Sequence, residues 1–241
     1  MSDDHASHMT EPASTSASGA AADTGLRQFL LSVYNYMGSG LALTGLVAYG
    51  AAETGLYASL VQTPLLFWGV VIAPLALVLL LSFRMEKMSL GAAQGAFWAY
   101  AGLVGLSLAG IFLVYTGTSI ARAFFITSAT FLAMSLYGHT TRTDLSRFGS
   151  FLLMGLIGII IAGLVNMFLA SSALQLAISV IGVIVFVGLT AYDTQRVKAI
   201  YLESDSSVIA GKKAIMGALT LYLDFLNLFM LLLQLTGDRR R

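Results

Sequence analysis

Cysteine is absent from this sequence, and charged residues are scarce. Without cysteine the chain has no disulfide, no thiolate metal site and no cysteine nucleophile. Only 10% of its residues are charged, whereas soluble domains carry about 25%. The 13 basic and 12 acidic residues nearly cancel, and no basic run is long enough to follow a phosphate backbone. These shortages argue against a water-soluble domain and against a nucleic-acid partner.

Catalytic signatures are missing as well. The sequence contains no HExxH metal motif, no phosphate-binding Walker loop, no GxSxG nucleophile motif and no cluster of histidines. We therefore predict that the protein is not an enzyme and holds no resident cofactor.

Apolar residues are what the chain has in abundance, at 57% of the sequence and a mean hydropathy of +0.83. They form long runs rich in leucine, isoleucine, alanine and glycine, which favour helices over the short alternating strands of a membrane barrel. About 20 apolar residues cross the hydrocarbon core of a bilayer. We predict an all-α membrane protein whose domain covers residues 29–236, with seven transmembrane helices at 30–50, 64–83, 93–115, 120–138, 149–170, 174–192 and 214–236.

The two ends of the chain are polar. Residues 1–28 are rich in serine, threonine, alanine and aspartate and lack the apolar core of a signal peptide, so we predict a disordered, cytoplasmic tail. Basic residues concentrate in alternate loops that share a side with this tail, which places the N-terminus in the cytoplasm. Seven crossings put the short basic tail, 237–241, on the other side, against the same rule. The last segment therefore either re-enters or crosses, and its length favours crossing.

One carboxyl group lies deep in the last apolar run, at Asp224. An ionised aspartate at that depth costs about 2.5–3.5 kcal/mol. Thr220, Asn227 and Gln234 share its helical face, so the helix presents a polar stripe to protein or water. A packing role that fixes helix register is one interpretation. The other, which we favour, is a carboxylate that handles protons or cations.

A second carboxyl group, Asp193, ends the sixth apolar run. By itself it is an ordinary solvated residue at a helix end. No glycine or proline follows before Gly211, however, so the helix can continue to about Tyr201 and carry Asp193 below the membrane surface. Two carboxyl groups held close share one proton, and when both are ionised they offer oxygen ligands to a hard cation such as Ca²⁺. Arg84 ends the second run on the same side, either as a membrane anchor or as a charge partner of Asp193.

Four stretches together resemble the Bax inhibitor family, the transmembrane Bax-inhibitor-motif proteins, in its bacterial members. They are "LRQFLLSVYNYMGSGLALTG", "FLAMSLYGHTTRTDLSRFGSFLLMGLIGIII", "AYDTQRVKAIY" and "LTLYLDFLNLFMLLL", and the resemblance covers about residues 26–236. It implies seven helices, six of them around a central C-terminal helix. It also implies a pH-sensitive Ca²⁺ leak with Asp193 and Asp224 as the paired aspartates and transient Ca²⁺ site, and Arg84 as the gate-associated arginine.

Two functions remain open on this basis. The first is a passive Ca²⁺ channel of the bacterial inner membrane, regulated by protons, with the lipid bilayer, Ca²⁺ and protons as its partners. The alternative is an interaction protein without transport that modulates a membrane protease or stress and cell-death machinery. A proton-coupled transporter is a third and less favoured interpretation, since the sequence has no internal repeat.

Overall fold

A computed structural model describes residues 13–240, with side chains described from Thr24 onward. Within this range the chain is almost entirely helical, and β-structure is limited to one isolated bridge between Tyr115 and Arg239. The helices are α1 (Ala13–Glu53), α2 (Leu56–Val61), α3 (Pro64–Arg84), a 3-10 turn (Met85–Lys87), α4 (Leu90–Leu108), α5 (Ile111–Val114), α6 (Gly117–Thr140), α7 (Ser146–Leu169), α8 (Ser172–Ala199) and α9 (Ser207–Thr236).

The all-α membrane fold is confirmed, but the count of seven spans is not. Among the described residues, six segments are long and apolar enough to cross a bilayer, and they correspond to the six predicted runs from residue 64 onward. The first predicted run, 30–50, falls within α1, where Asn35, Ser39 and Thr44 lower the hydropathy.

The boundary of the N-terminal tail was placed too late. Helix α1 begins at Ala13, so residues 13–28 are helical and not disordered. Alanine has the highest helix propensity, and residues 13–28 contain five alanines and no proline. The end of this segment also packs, because Tyr201 lies against Gly25 and against the ring of Phe29 at 5.5 Å between centroids. Residues 1–12 lie outside the described part of the chain.

Helix α9 occupies the centre of the bundle, as predicted. In its apolar window 67% of the residues are buried, compared with 11–39% in the other five candidate spans. It packs directly against α1, α4, α6 and α8. Helices α3 and α7 are more peripheral, with their main contacts on α4 and α8 respectively. A helix surrounded by other helices can carry polar groups that do not meet lipid.

The bundle has two ends, which we define by their loops. The basic end contains loops 85–89, 141–145 and 200–206, and the far end contains loops 54–63, 115–116 and 170–171 together with the C-terminal tail. At the far end the Thr116 amide donates to the Asp238 carbonyl at 3.1 Å. The Asp238 amide donates to Ser119 Oγ at 2.9 Å. Helix α9 therefore crosses the bundle and does not re-enter.

Close helix crossings around α9 depend on a glycine and a buried hydroxyl pair. A Cβ atom on Gly105 would lie 2.6 Å from the Thr44 carbonyl oxygen, so a larger residue would force α4 away from α1. The Thr44 hydroxyl is within 3.0 Å of the carbonyls of Gly40 and Ala101, and 2.6 Å from the Tyr222 hydroxyl. Its single hydrogen goes to a carbonyl, so Tyr222 donates to Thr44 and ties α9 to α1.

Candidate functional site

A cavity of about 700 Å³ lies between α7, α8 and α9. Most of its wall is apolar, including Leu153, Leu156 and Ile160 on α7. We call it the aspartate cavity because its polar lining contains both predicted aspartates and the complete polar stripe of α9. These residues are Asp193, Arg196, Thr220, Asp224, Asn227 and Gln234.

Asp193 reaches the depth of Asp224 because α8 continues beyond its apolar run. The helix ends at Ala199, so Asp193 lies six residues, or about 9 Å, inside its C-terminus. Both aspartates are buried, with 8% of Asp193 and 5% of Asp224 exposed. The uninterrupted segment after Asp193 is therefore what places the two carboxyl groups at one level.

The carboxyl groups of Asp193 and Asp224 line the same cavity, and each acts on the titration of the other. Asp224 Oδ2 is the one buried side-chain oxygen or nitrogen among the described residues that has no hydrogen-bond partner. A carboxylate only accepts hydrogen bonds, so two ionised groups cannot bond to each other. A proton on one of the two carboxyl groups would give the pair a hydrogen-bond donor.

Two stripe residues of α9, Thr220 and Asn227, donate hydrogen bonds within the helix. Thr220 Oγ1 donates to the Met216 carbonyl at 3.1 Å, and Asn227 Nδ2 donates to the Leu223 carbonyl at 2.8 Å. Their oxygen lone pairs remain for a solute in the cavity. From Thr220 to Gln234 the stripe extends about 21 Å along the axis.

A chain of amide side chains lies at the far end of the cavity. Gln175 Nε2 donates to Gln234 Oε1 at 2.7 Å, and Asn166 Nδ2 donates to Gln175 Oε1 at 3.1 Å. The Ser171 amide in turn donates to Asn166 Oδ1 at 3.0 Å. We call Asn166, Gln175 and Gln234 the amide chain, which joins the ends of α7, α8 and α9. No sequence pattern identifies Gln175 as the residue that connects Asn166 to Gln234.

Arg84 is the predicted site residue that the structure does not bring to the pair. It is exposed at the end of α3, and it has no ion pair with any described carboxylate. The following turn is held at the start of α9, where Lys212 Nζ donates to the Glu86 carbonyl at 2.9 Å. Lys212 precedes Asp224 by 12 residues, or about 18 Å along α9.

Arg196 is the cation of the aspartate cavity instead. It lies one turn after Asp193 on α8, lines the same cavity, and its charge acts on Asp193. Residues at i and i+3 lie on the same face of a helix, and this spacing is the sequence signal for the pairing. Arg196 was not among the predicted site residues.

Among the described residues no group of three or more histidine, cysteine, aspartate or glutamate side chains is placed to hold a metal ion. Two aspartates and a few neutral oxygens are the oxygen ligands that line the aspartate cavity.

Comparisons with known proteins agree on one family. The sequence profile of the family described as "Inhibitor of apoptosis-promoting Bax1" matches residues 26–241. The inner membrane protein YbhL of Escherichia coli K12 is 50% identical over 219 residues, which cover 90% of this chain and 94% of that protein. An uncharacterized protein of Rickettsia prowazekii is 48% identical over 234 residues, which cover 96% and 98% of the two chains.

Proposed function

Since the chain belongs to the Bax inhibitor family of membrane proteins, we propose that it is a passive, pH-sensitive leak for Ca²⁺. The observation that carries this proposal is the aspartate cavity, in which two buried carboxyl groups meet. A polar path through apolar helices has an energetic cost that packing alone does not require. The same relationship to an inner membrane protein supports placement in the bacterial inner membrane, with the basic end in the cytoplasm.

The closed state contains one proton on the aspartate pair. A hydrogen bond between Asp193 and Asp224 joins α8 to α9 and leaves one negative charge, which faces Arg196. The far end is closed by the amide chain, whose hydrogen bonds are the same at every physiological pH. A singly protonated pair, whose one remaining charge faces Arg196, offers less attraction to a divalent cation than two ionised carboxylates.

The conducting state follows from loss of that proton. Two ionised carboxylates repel each other and lose their mutual hydrogen bond, so α8 and α9 separate. They also become an oxygen site for Ca²⁺, with Thr220 and Asn227 adding neutral oxygens along the path. Ca²⁺ flux therefore rises as the pH rises. Arg196 is the one other ionised group among the cavity's lining residues, and it favours the ionised pair.

The test is Ca²⁺ entry into liposomes that contain the purified full-length protein and a trapped fluorescent indicator. We expect flux down the gradient without a proton gradient, increasing from about pH 5 to pH 8. The control is the Asp193→Asn, Asp224→Asn double variant in the same lipid, with equal protein incorporation. Flux equal to that of empty liposomes at every pH would reject the leak and favour the interaction protein. Flux that requires a proton gradient would instead indicate coupled transport.

A further inference from the structure

A second cavity of about 700 Å³ lies at the basic end and shares no lining residue with the aspartate cavity. It opens between α1 and α6, with the last turn of α8 contributing to it. We call it the cationic groove and define it by six of its lining residues: Leu31, Arg27, Leu132, Leu136, His139 and Lys198. The proposed leak uses none of these residues.

Three helices bring basic side chains to the top of this groove. Arg27 comes from α1, His139 from α6 and Lys198 from α8. Lys198 Nζ donates to the His139 carbonyl at 3.1 Å, which leaves two of its three N–H groups for another acceptor. Among the described side chains no carboxylate lies within ion-pair distance of Arg27 or Lys198. Among the described residues, the groove therefore has positive charge without an acidic partner.

Exposed leucines continue the groove toward the middle of the bundle. Leu31 follows Arg27 by one turn on α1 and is 52% exposed. On α6, Leu136 and Leu132 precede His139 by about one and two turns, and they are 63% and 64% exposed. On both helices the apolar surface lies on the membrane side of the basic residues. The groove is therefore cationic near the membrane surface and apolar deeper in the membrane. A phospholipid has the matching order, with its charged headgroup at the surface and its acyl chains below.

We propose that the cationic groove binds one anionic phospholipid. Its phosphate diester contacts the Arg27 guanidinium and the Lys198 ammonium, and one acyl chain lies along Leu31, Leu132 and Leu136. Arginine and lysine together neutralise a phosphate well, and the arginine fork adds two parallel hydrogen bonds. A soluble phosphate would leave the leucines uncovered, whereas a phospholipid satisfies both halves of the groove.

The experiment measures lipid retained by the full-length protein in native mass spectrometry, after exchange with equimolar phosphatidylglycerol and phosphatidylcholine. We expect one phosphatidylglycerol to be retained in preference. At about a fivefold change per basic residue, the Arg27→Gln, Lys198→Gln double variant should retain it about 30-fold more weakly. The matched control is Arg84→Gln, Lys87→Gln, which removes two exposed charges outside the groove and should retain lipid like the parent.

The single variant Arg27→Gln serves as the test if the double variant does not fold. Arg27 is exposed, so its replacement leaves the core intact. It should weaken retention about fivefold. Equal loss in the control pair would overturn the proposal, since the effect would then be one of general charge. Equal retention of the two lipids, or displacement of phosphatidylglycerol by inorganic phosphate alone, would overturn it as well. Neither result depends on whether the protein conducts Ca²⁺.

Discussion

The two ends of the aspartate cavity are closed by different chemistry. At the level of Asp193 and Asp224, the proposed contact between helices depends on one exchangeable proton, and the buried Asp224 Oδ2 has no hydrogen-bond partner among the described residues. At the far end, the amide chain joins three helix ends through hydrogen bonds of 2.7–3.1 Å. An amide brings its own donor and acceptor, so these bonds form at any pH.

In the proposed leak, the aspartate pair is a pH-dependent switch, and the amide chain is a closure that does not depend on pH. Protonation of the aspartate pair changes both its charge and its hydrogen bonding, and so it can couple pH to the separation of α8 and α9. The amide chain has no group that titrates near neutral pH. In the proposed leak, its barrier to Ca²⁺ is therefore the same at every pH. We therefore expect pH to change Ca²⁺ flux through the aspartate pair. The closure at the amide chain should change only when one of its residues is mutated.

The largest effect should come from Asp224→Asn. Asparagine supplies N–H donors permanently, so it hydrogen-bonds the Asp193 carboxylate whether or not a proton is available. We expect the folded protein to keep the closed contact, with Ca²⁺ flux at its acidic-pH level from about pH 5 to pH 8. Liposome flux across that range is the measurement. A flux that still rises with pH as in the parent would show that Asp224 is a packing residue.

The positions of the two aspartates and of the polar stripe could be predicted from the sequence, because they depend on local features of the chain. An aspartate amid apolar residues is expensive in any membrane fold, and the stripe spacing follows from helix geometry alone. The depth of Asp193 followed from the uninterrupted segment after it. The family resemblance placed α9 at the centre, which its burial confirms.

The remaining features depend on tertiary packing that no local pattern encodes. Helix α3 packs on α4, so Arg84 stays away from the pair even though it has the expected charge and side. Gln175 meets Gln234 across 59 residues of sequence. The helical N-terminal segment was missed because its serines and aspartates indicate a solvated tail, although its alanines favour a helix.

A second prediction concerns a substitution that disrupts the amide chain. Gln175→Leu removes two amide hydrogen bonds, each worth about 1 kcal/mol, and leaves Asn166 and Gln234 without their shared partner. We expect Ca²⁺ flux to rise about five- to thirtyfold at every pH, while the pH response keeps its midpoint. Gln175→Glu is the informative companion, since it keeps the acceptor but adds a charge. An unchanged flux in Gln175→Leu would mean that the closure lies elsewhere on the path.

A third prediction concerns the cation beside the switch. Arg196→Gln removes the positive charge that favours the ionised pair, so conduction should require a higher pH. Arg196 is exposed, and solvent-screened charge pairs contribute about 0.2–1 kcal/mol. We therefore expect the flux midpoint to move upward by about half a pH unit. Arg84→Gln removes the same charge at an exposed site outside the cavity and should leave the midpoint in place. The opposite pattern would restore Arg84 as the gate-associated arginine.

The smallest effect should come from a carboxyl group outside the cavity. Asp144 lies in the loop before α7, where its Oδ1 accepts from the Ser146 amide at 2.9 Å. That backbone hydrogen bond, followed by one from the Ser146 side chain, lowers the pKa of Asp144 below its ordinary value of 3.8. A lowered pKa stabilises the fold above the ordinary value, and this contribution disappears only as the pH falls through the folded value.

Asp144 is therefore ionised at every pH at which the leak is measured. We expect Asp144→Asn to leave the flux profile between about pH 5 and pH 8 unchanged, although it neutralises an aspartate near the same end of the bundle. Parallel flux measurements on Asp144→Asn and Asp224→Asn compare one exposed carboxyl group with one buried carboxyl group. If both variants flatten the profile, the pH response comes from the overall charge of the basic end. If only Asp224→Asn does so, the response comes from the proton shared inside the cavity.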